Sequence, residues 1–217
     1  DANATTCERV LSSQTVTQPS VLAATVSKTN ITCAGLGNGT ITVSSPTGGS
    51  GSFQYRLNLD AWQVSGSFTG LVSGSYLVQI RDANNTSCVV DLGIQNVTQP
   101  AALTANGIVT NVTCGGGNNG SIVQTVSGGT SPYTYAWSGG GLATKDRTGL
   151  SPGAYTVTIT DINSCLITRT YNVVQPVSLT ITPTVTQPTC GVAGSILLSV
   201  GGGTSPYTYN WGDLVGT

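Results

Sequence analysis

The chain contains no histidine, and that removes most familiar chemistry at once. Serine–histidine triads and the common catalytic zinc sites need an imidazole. A paired-acid mechanism would need two of only eight carboxylates in one cleft. Asp82 and Asp161 are the acids that recur in matching surroundings, ahead of Ala83-Asn84-Asn85 and Ile162-Asn163-Ser164. An aspartate before Asn or Ser at a tight turn accepts backbone N–H bonds as an Asx turn. No Asp-x-Asp-x-Asp spacing supports calcium. These acids read as structural, and no catalytic residue, metal or cofactor is expected.

The six cysteines, Cys7, Cys33, Cys88, Cys114, Cys165 and Cys190, are a second reactive group. No two lie closer than the 25 positions from Cys165 to Cys190, so the close pairs of a zinc site are missing. In a low-charge chain they point to disulfides and an extracellular or cell-surface location. The aromatics form a third group. Tyr133, Tyr135 and Trp137 alternate with small residues and so share one face of a strand. Such a row could stack sugars or line a core. Thr134 and Ala136 on the opposite face make a poor core, so the aromatic face is expected inside. Trp62, beside polar Asp60 and Gln63, is the better candidate for a sugar contact.

The elements that would hold these groups are strands. Charged residues are only 7% of the chain, too few for the wet faces of long helices. Threonine, serine, valine and 29 glycines dominate, which favours strands and turns. The net charge of −1, with no basic run, argues against nucleic acid as a partner. No apolar run approaches the length of a membrane-spanning helix, so no insertion is expected in this window.

The chain is also an array. Gly128-Gly129-Thr130-Ser131-Pro132-Tyr133-Thr134-Tyr135-Ala136-Trp137 returns as Gly202 to Trp211, with Asn210 for alanine, and a degenerate copy begins at Gly48-Gly49. Cys7 to Cys88 and Cys33 to Cys114 are each 81 residues; Cys88 to Cys165 is 77 and Cys114 to Cys190 is 76. Val97-Thr98-Gln99-Pro100 and Val173-Val174-Gln175-Pro176 mark the joints. The window therefore divides into the tail of one repeat (1–19), two whole repeats (20–100 and 101–176) and the first half of another (177–217).

Within the second repeat, strands are expected over 103–113, 121–126, 133–138, 143–148, 154–160 and 166–174. Short strands with turns every 8–12 residues are the pattern of a β-sandwich. Trp137 on the third strand and Tyr155 after Leu150-Ser151-Pro152-Gly153-Ala154 fit an immunoglobulin-like sandwich with its tyrosine corner. Tyr76 repeats that corner, and Trp137, Trp211, Tyr76 and Tyr155 are expected in the core. The fold class is all-β, a tandem array of small immunoglobulin-like sandwiches.

The ordered run of Thr113-Cys114-Gly115, Asn119-Gly120-Ser121-Ile122, the Gly-Gly-Thr-Ser-Pro-Tyr-Thr-Tyr-x-Trp segment, Thr148-Gly149-Leu150, Asp161 to Cys165 and Gln175-Pro176 resembles the SprB repeat. That family consists of tandem modules of large surface adhesins, many from gliding Bacteroidetes. The resemblance implies a structural stalk or filament segment of a secreted adhesin, exported by type IX secretion and serving adhesion or gliding. Neighbouring repeats, a self-associated fibre and a surface polysaccharide are the implied partners. The alternatives are a carbohydrate-binding array or the spacer of a secreted hydrolase. Eight glycosylation sequons (Asn3, Asn30, Asn38, Asn84, Asn85, Asn96, Asn111 and Asn119) would be mostly bare in a bacterial source.

Three disulfide schemes respect the repeat. Pairing within repeats gives Cys33–Cys88 and Cys114–Cys165. Pairing across each joint gives Cys7–Cys33, Cys88–Cys114 and Cys165–Cys190. Pairing between neighbours gives Cys33–Cys165 and leaves Cys88 and Cys114 to repeats outside the window. Cys114 follows the first strand and Cys165 precedes the last, so they lie at opposite ends of one sandwich. A strand of about 7 residues separates such ends by about 23 Å, whereas a disulfide needs Cα atoms within about 7 Å. The neighbour scheme is favoured.

Overall fold

Alternation of inward apolar and outward polar residues, as in Gly39–Thr47 and Gly153–Asp161, sets the central strands. In the computed structural model, which describes residues 12–16, 18–139 and 143–212, the chain is all-β and divides into two compact units, Asp1–Gln99 and Pro100–Thr217.

In the first unit, β1 (Ala23–Thr29), β2 (Gly39–Thr47) and β4 (Ser67–Leu71) form one antiparallel sheet in the order β1-β2-β4. β3 (Phe53–Leu57), β5 (Gly74–Asp82) and β6 (Val89–Val97) form the other, in the order β3-β5-β6. The inward residues of both sheets, Ile41, Val43, Tyr55, Leu57, Val78 and Ile80, close on one core. The exchange of β3 and β4 between sheets is the immunoglobulin-like crossover. The second unit repeats it. β7 (Thr104–Thr110), β8 (Gly120–Ser127) and β10 (Arg147–Leu150) pack against β9 (Tyr133–Trp137), β11 (Gly153–Asp161) and β12 (Leu166–Val173). Ala105, Ile122, Trp137, Leu150, Val157 and Ile159 form the core there. The register matches across units: Tyr55 faces Ile80 as Tyr135 faces Ile159, and Leu57 faces Val78 as Trp137 faces Val157.

Two of the four expected core aromatics are tyrosine corners. Tyr76 donates to the Val72 carbonyl at 2.9 Å and Tyr155 to the Ser151 carbonyl at 2.8 Å, each from a half-buried ring. Trp137 is 6% exposed and donates from Nε1 to the Thr144 carbonyl at 2.9 Å. Trp211 departs from expectation: it is 59% exposed and lies outside any strand. Residues 177–212 contribute only the hairpin of β13 (Thr180–Thr186) and β14 (Ser195–Gly201). A lone hairpin has no second sheet against which to bury a face, and no described strand plays for Trp211 the part that β11 plays for Trp137.

The glycine pair that opens each aromatic segment is fixed by backbone contact. Gly128 has φ +71, and a Cβ there would lie 1.9 Å from the Ala102 carbonyl oxygen; Gly202 meets Ser178 in the same way at 2.1 Å. The joints are clasped by side chains. Gln99 Oε1 accepts from Gly35 N and Gln175 Oε1 from Gly116 N, both at 2.9 Å. Asn30 and Asn111, two of the sequon asparagines, accept from Thr98 N and Val174 N at 3.0 Å. Asn38 and Asn119 bracket Thr32 and Thr113 through the backbone N–H and the hydroxyl.

Candidate functional site

Asp82 and Asp161 each sit at the start of the turn after β5 or β11 and bind the preceding glycine turn. Asp82 Oδ1 accepts from the Ser50 hydroxyl at 2.7 Å and from Asn84 N at 2.8 Å; Oδ2 accepts from Ser50 N at 2.6 Å. Asp161 Oδ1 accepts from Asn163 N and Cys165 N at 2.9 Å, and Oδ2 from Thr130 N at 2.8 Å. Both residues are buried. The Asx-turn expectation holds, with the addition that each carboxylate also ties its turn to the turn before β3 or β9.

The Ser50 hydroxyl is the chief cause holding the Asp82 carboxyl below its ordinary value of 3.8; burial opposes it, and the N–H groups of Ser50, Asn84 and Asn85 add to it. A lowered folded value gives stability that is present above 3.8 and lost as pH falls through the folded value. The melting temperature of the first unit is therefore expected to drop as pH falls below 3.8. Ser50→Ala should shrink that drop; a scan with no difference between the two proteins would count against it. Burial pushes the phenols of Tyr55 and Tyr135 above 10.0, with Asp146 a further cause at Tyr135, so neither is primed as an acid near neutral pH.

The cysteines separate into two classes. Cys33 and Cys165 are disulfide-bonded. Cys88, Cys114 and Cys190 carry exposed free thiols, and Cys7 lies outside the described residues. Of the six cysteines expected in disulfides, Cys88, Cys114 and Cys190 thus have no bonded partner among the described residues. Pairing within repeats would need Cys88 and Cys114, and pairing across joints would need all three of these cysteines. The neighbour scheme gives Cys88 and Cys114 partners outside these residues.

The second sandwich carries a polar pair where the first is apolar. Gln124 and Arg147 occupy the register positions of Val43 and Phe68. Gln124 is 1% exposed; its Oε1 accepts from the Tyr171 hydroxyl, but its Nε2, with Arg147 Nε and Nη1, is buried without a partner. Arg147 is held over Trp137 and Tyr155, at 5.6 and 5.9 Å from the ring centroids. Buried donors without acceptors destabilise, and replacing buried polar groups by apolar ones of similar size is often stabilising. The double change Gln124→Val with Arg147→Phe is expected to raise the stability of this sandwich by about 1 kcal/mol or more. Urea unfolding of the double variant checks it, and a lowered midpoint would contradict it.

Trp62 is half-buried on the outer face of the sheet β3-β5-β6, with the guanidinium carbons of Arg56 and Arg81 at 4.5 and 4.4 Å from its ring centroid. Trp62 stands out in the sequence, whereas Arg56 and Arg81 come from different strands and meet it only through the register.

The SprB-repeat pattern matches residues 25–61, 106–142 and 182–216, about half of the chain in all. This chain belongs to the SprB-repeat family. The first two matched segments run from the first strand through the third of their module, and the last spans β13, β14 and the second aromatic segment, so the family pattern marks the front half of each SprB repeat. No curated protein sequence matches the chain. Among solved structures, it is similar to the C-terminal 282-residue fragment of intimin in complex with the translocated intimin receptor's intimin-binding domain, at 16% identity and a TM-score of 0.39, over 74% of this chain and 66% of that one. It is also similar to domains 1–6 of the surface layer protein SbsC, at 13% identity and a TM-score of 0.31, over 84% of this chain and 37% of that one. The chain thus spans 66% of the intimin fragment and 37% of the solved domains 1–6 of the surface layer protein. The SprB repeats of this chain are built as immunoglobulin-like sandwiches, with Cys33 and Cys165 disulfide-bonded among the described residues.

Proposed function

We propose that this chain is a structural segment of a secreted bacterial cell-surface adhesin, a run of SprB repeats that sets the length and stiffness of a stalk or filament. The family supports a surface-exposed, non-catalytic role in adhesion or gliding, with export by type IX secretion. The observation that carries the stalk reading is the joint. Inside the second unit, the loop of Thr113, Cys114 and Gly115 and the following residues Val177, Leu179 and Tyr207 line one cleft of ≈ 230 Å³, across Pro176. Proline fixes its own φ and restricts the residue before it, and Gln175 reaches back to Gly116. A joint built this way favours one angle over many.

The reading extends to Cys33–Cys165 as a staple between neighbouring repeats. It is supported by the bonded state of both cysteines beside the free thiols of Cys88, Cys114 and Cys190. In a longer array these three would bond to repeats on either side. Peptide mapping of the air-oxidised chain should return one cross-link joining the Cys33 and Cys165 peptides; a Cys33–Cys88 peptide would defeat the staple. X-ray scattering should give a narrow distribution of inter-module distances that broadens with Gln99→Ala and Gln175→Ala. A freely articulated ensemble in the unaltered chain would remove the stalk reading.

A further inference from the structure

The outer face of the sheet β3-β5-β6 is built differently from its counterpart. Along β3 and β5, Tyr55, Leu57, Val78 and Ile80 point inward, so Gln54, Arg56, Gln79 and Arg81 point outward. Gln54 pairs with Arg81 and Arg56 with Gln79. Each glutamine accepts from the Nε of the arginine opposite: Arg56 Nε to Gln79 Oε1 is 2.6 Å and Arg81 Nε to Gln54 Oε1 is 2.8 Å. The turn after β3 brings the chain back so that Gln63 bridges to Tyr55, and this sets Trp62 against both guanidinium groups. The planar groups are therefore held by a hydrogen bond at Nε and by an aromatic ring. Among the described residues their Nη groups have no protein acceptor and no carboxylate partner; Asp91, next on this face, binds Gln79 Nε2 instead.

The fold does not require this arrangement. In the second sandwich the same face carries Thr134, Ala136, Thr158 and Thr160, in the same register. Only seven cationic side chains occur in the whole chain, and two of them meet on one tryptophan here. Two like charges brought together without a counter-ion raise the energy of the free protein, and a bound anion would relieve it. A guanidinium fork with free Nη donors suits the two oxygens of a carboxylate or sulfate.

We propose that this face is a binding site for an acidic polysaccharide, with Arg56 and Arg81 taking the anionic groups and Trp62 fixing the orientation of both forks. The proposal stands apart from the stalk reading, since a flexible array could carry the same site.

The full 217-residue chain would be tested by surface plasmon resonance on polygalacturonate (carboxylate), dextran sulfate (sulfate), neutral dextran and single-stranded DNA of matched charge. Saturable binding to one or both acidic polysaccharides at physiological salt is expected, with none to dextran; the stronger of the two identifies the anionic group. Arg56→Gln with Arg81→Gln should weaken it at least about tenfold. Arg56→Lys with Arg81→Lys, which keeps the charge and removes the fork, should also weaken it. The control Lys28→Gln with Lys145→Gln removes equal charge elsewhere and should leave binding unchanged. Unaltered melting temperatures would show that the arginine variants fold. No saturable binding, an equal loss in the lysine control, or binding to dextran or DNA as tight as to the acidic polysaccharides would each overturn the proposal.

Discussion

Trp137→Ala is expected to destabilise the second sandwich by about 3–5 kcal/mol, enough to unfold a marginal domain. The ring is 6% exposed, lies opposite Val157 in the ladder, and stands among Ile122, Leu150 and Ile159 in the same core. Its removal opens a cavity, leaves the Thr144 carbonyl without its donor and strips the Arg147 guanidinium of the ring it lies over. The first sandwich is an internal control, because Leu57 fills the matching position there. Trp137→Leu should therefore lose less than Trp137→Ala. Urea unfolding of the whole chain should show one transition moved to lower denaturant and the other unmoved. A loss below about 1 kcal/mol would mean that the ring contributes little to the core.

Asp161→Ala is expected to cost the same sandwich about 3 kcal/mol or more. Three backbone donors, Thr130 N, Asn163 N and Cys165 N, converge on this 5%-exposed carboxylate, and each loses its acceptor together. Asp161→Asn keeps one acceptor oxygen and should fall between the two. The sharper readout is local: amide exchange at Thr130 and Cys165 should accelerate in Asp161→Ala before global unfolding does. Unchanged exchange at both amides would show that the carboxylate is not what holds the two turns.

Strand positions were readable because they rest on local signals. The alternation of Tyr133, Tyr135 and Trp137, and turn residues such as Gly128-Gly129, specify β9 without knowledge of what lies beside it. The same signals fail at Trp211. Its segment repeats that of Trp137, and Tyr207 makes the bond to the Gly202 carbonyl that Tyr133 makes to Gly128. A tyrosine–turn contact five residues long forms from local sequence, whereas a buried strand needs a partner strand. The glutamines at the joints show the reverse failure. Gln99 and Gln175 stood out as repeat markers, but their acceptor role depends on Gly35 and Gly116, 64 and 59 residues away. Arg56, Arg81 and Trp62 are likewise scattered along the chain and joined only by register.

The clasps at the joints also decide how a module would respond to tension. Val112 N donates to the Val174 carbonyl, Asn111 Oδ1 accepts from Val174 N, and Gln175 Oε1 accepts from Gly116 N. The first unit has the same set, from Ile31 N to the Thr98 carbonyl, Asn30 to Thr98 N and Gln99 to Gly35 N. A pull on the outgoing proline therefore does not peel β12 from β11 one hydrogen bond at a time. It reaches the loop after β7 at the same moment, and the bonds on both sides of the sandwich share it. Bonds stressed in parallel must rupture together, while bonds stressed in series unzip singly, so the expected force–extension trace of each repeat is a single abrupt yield.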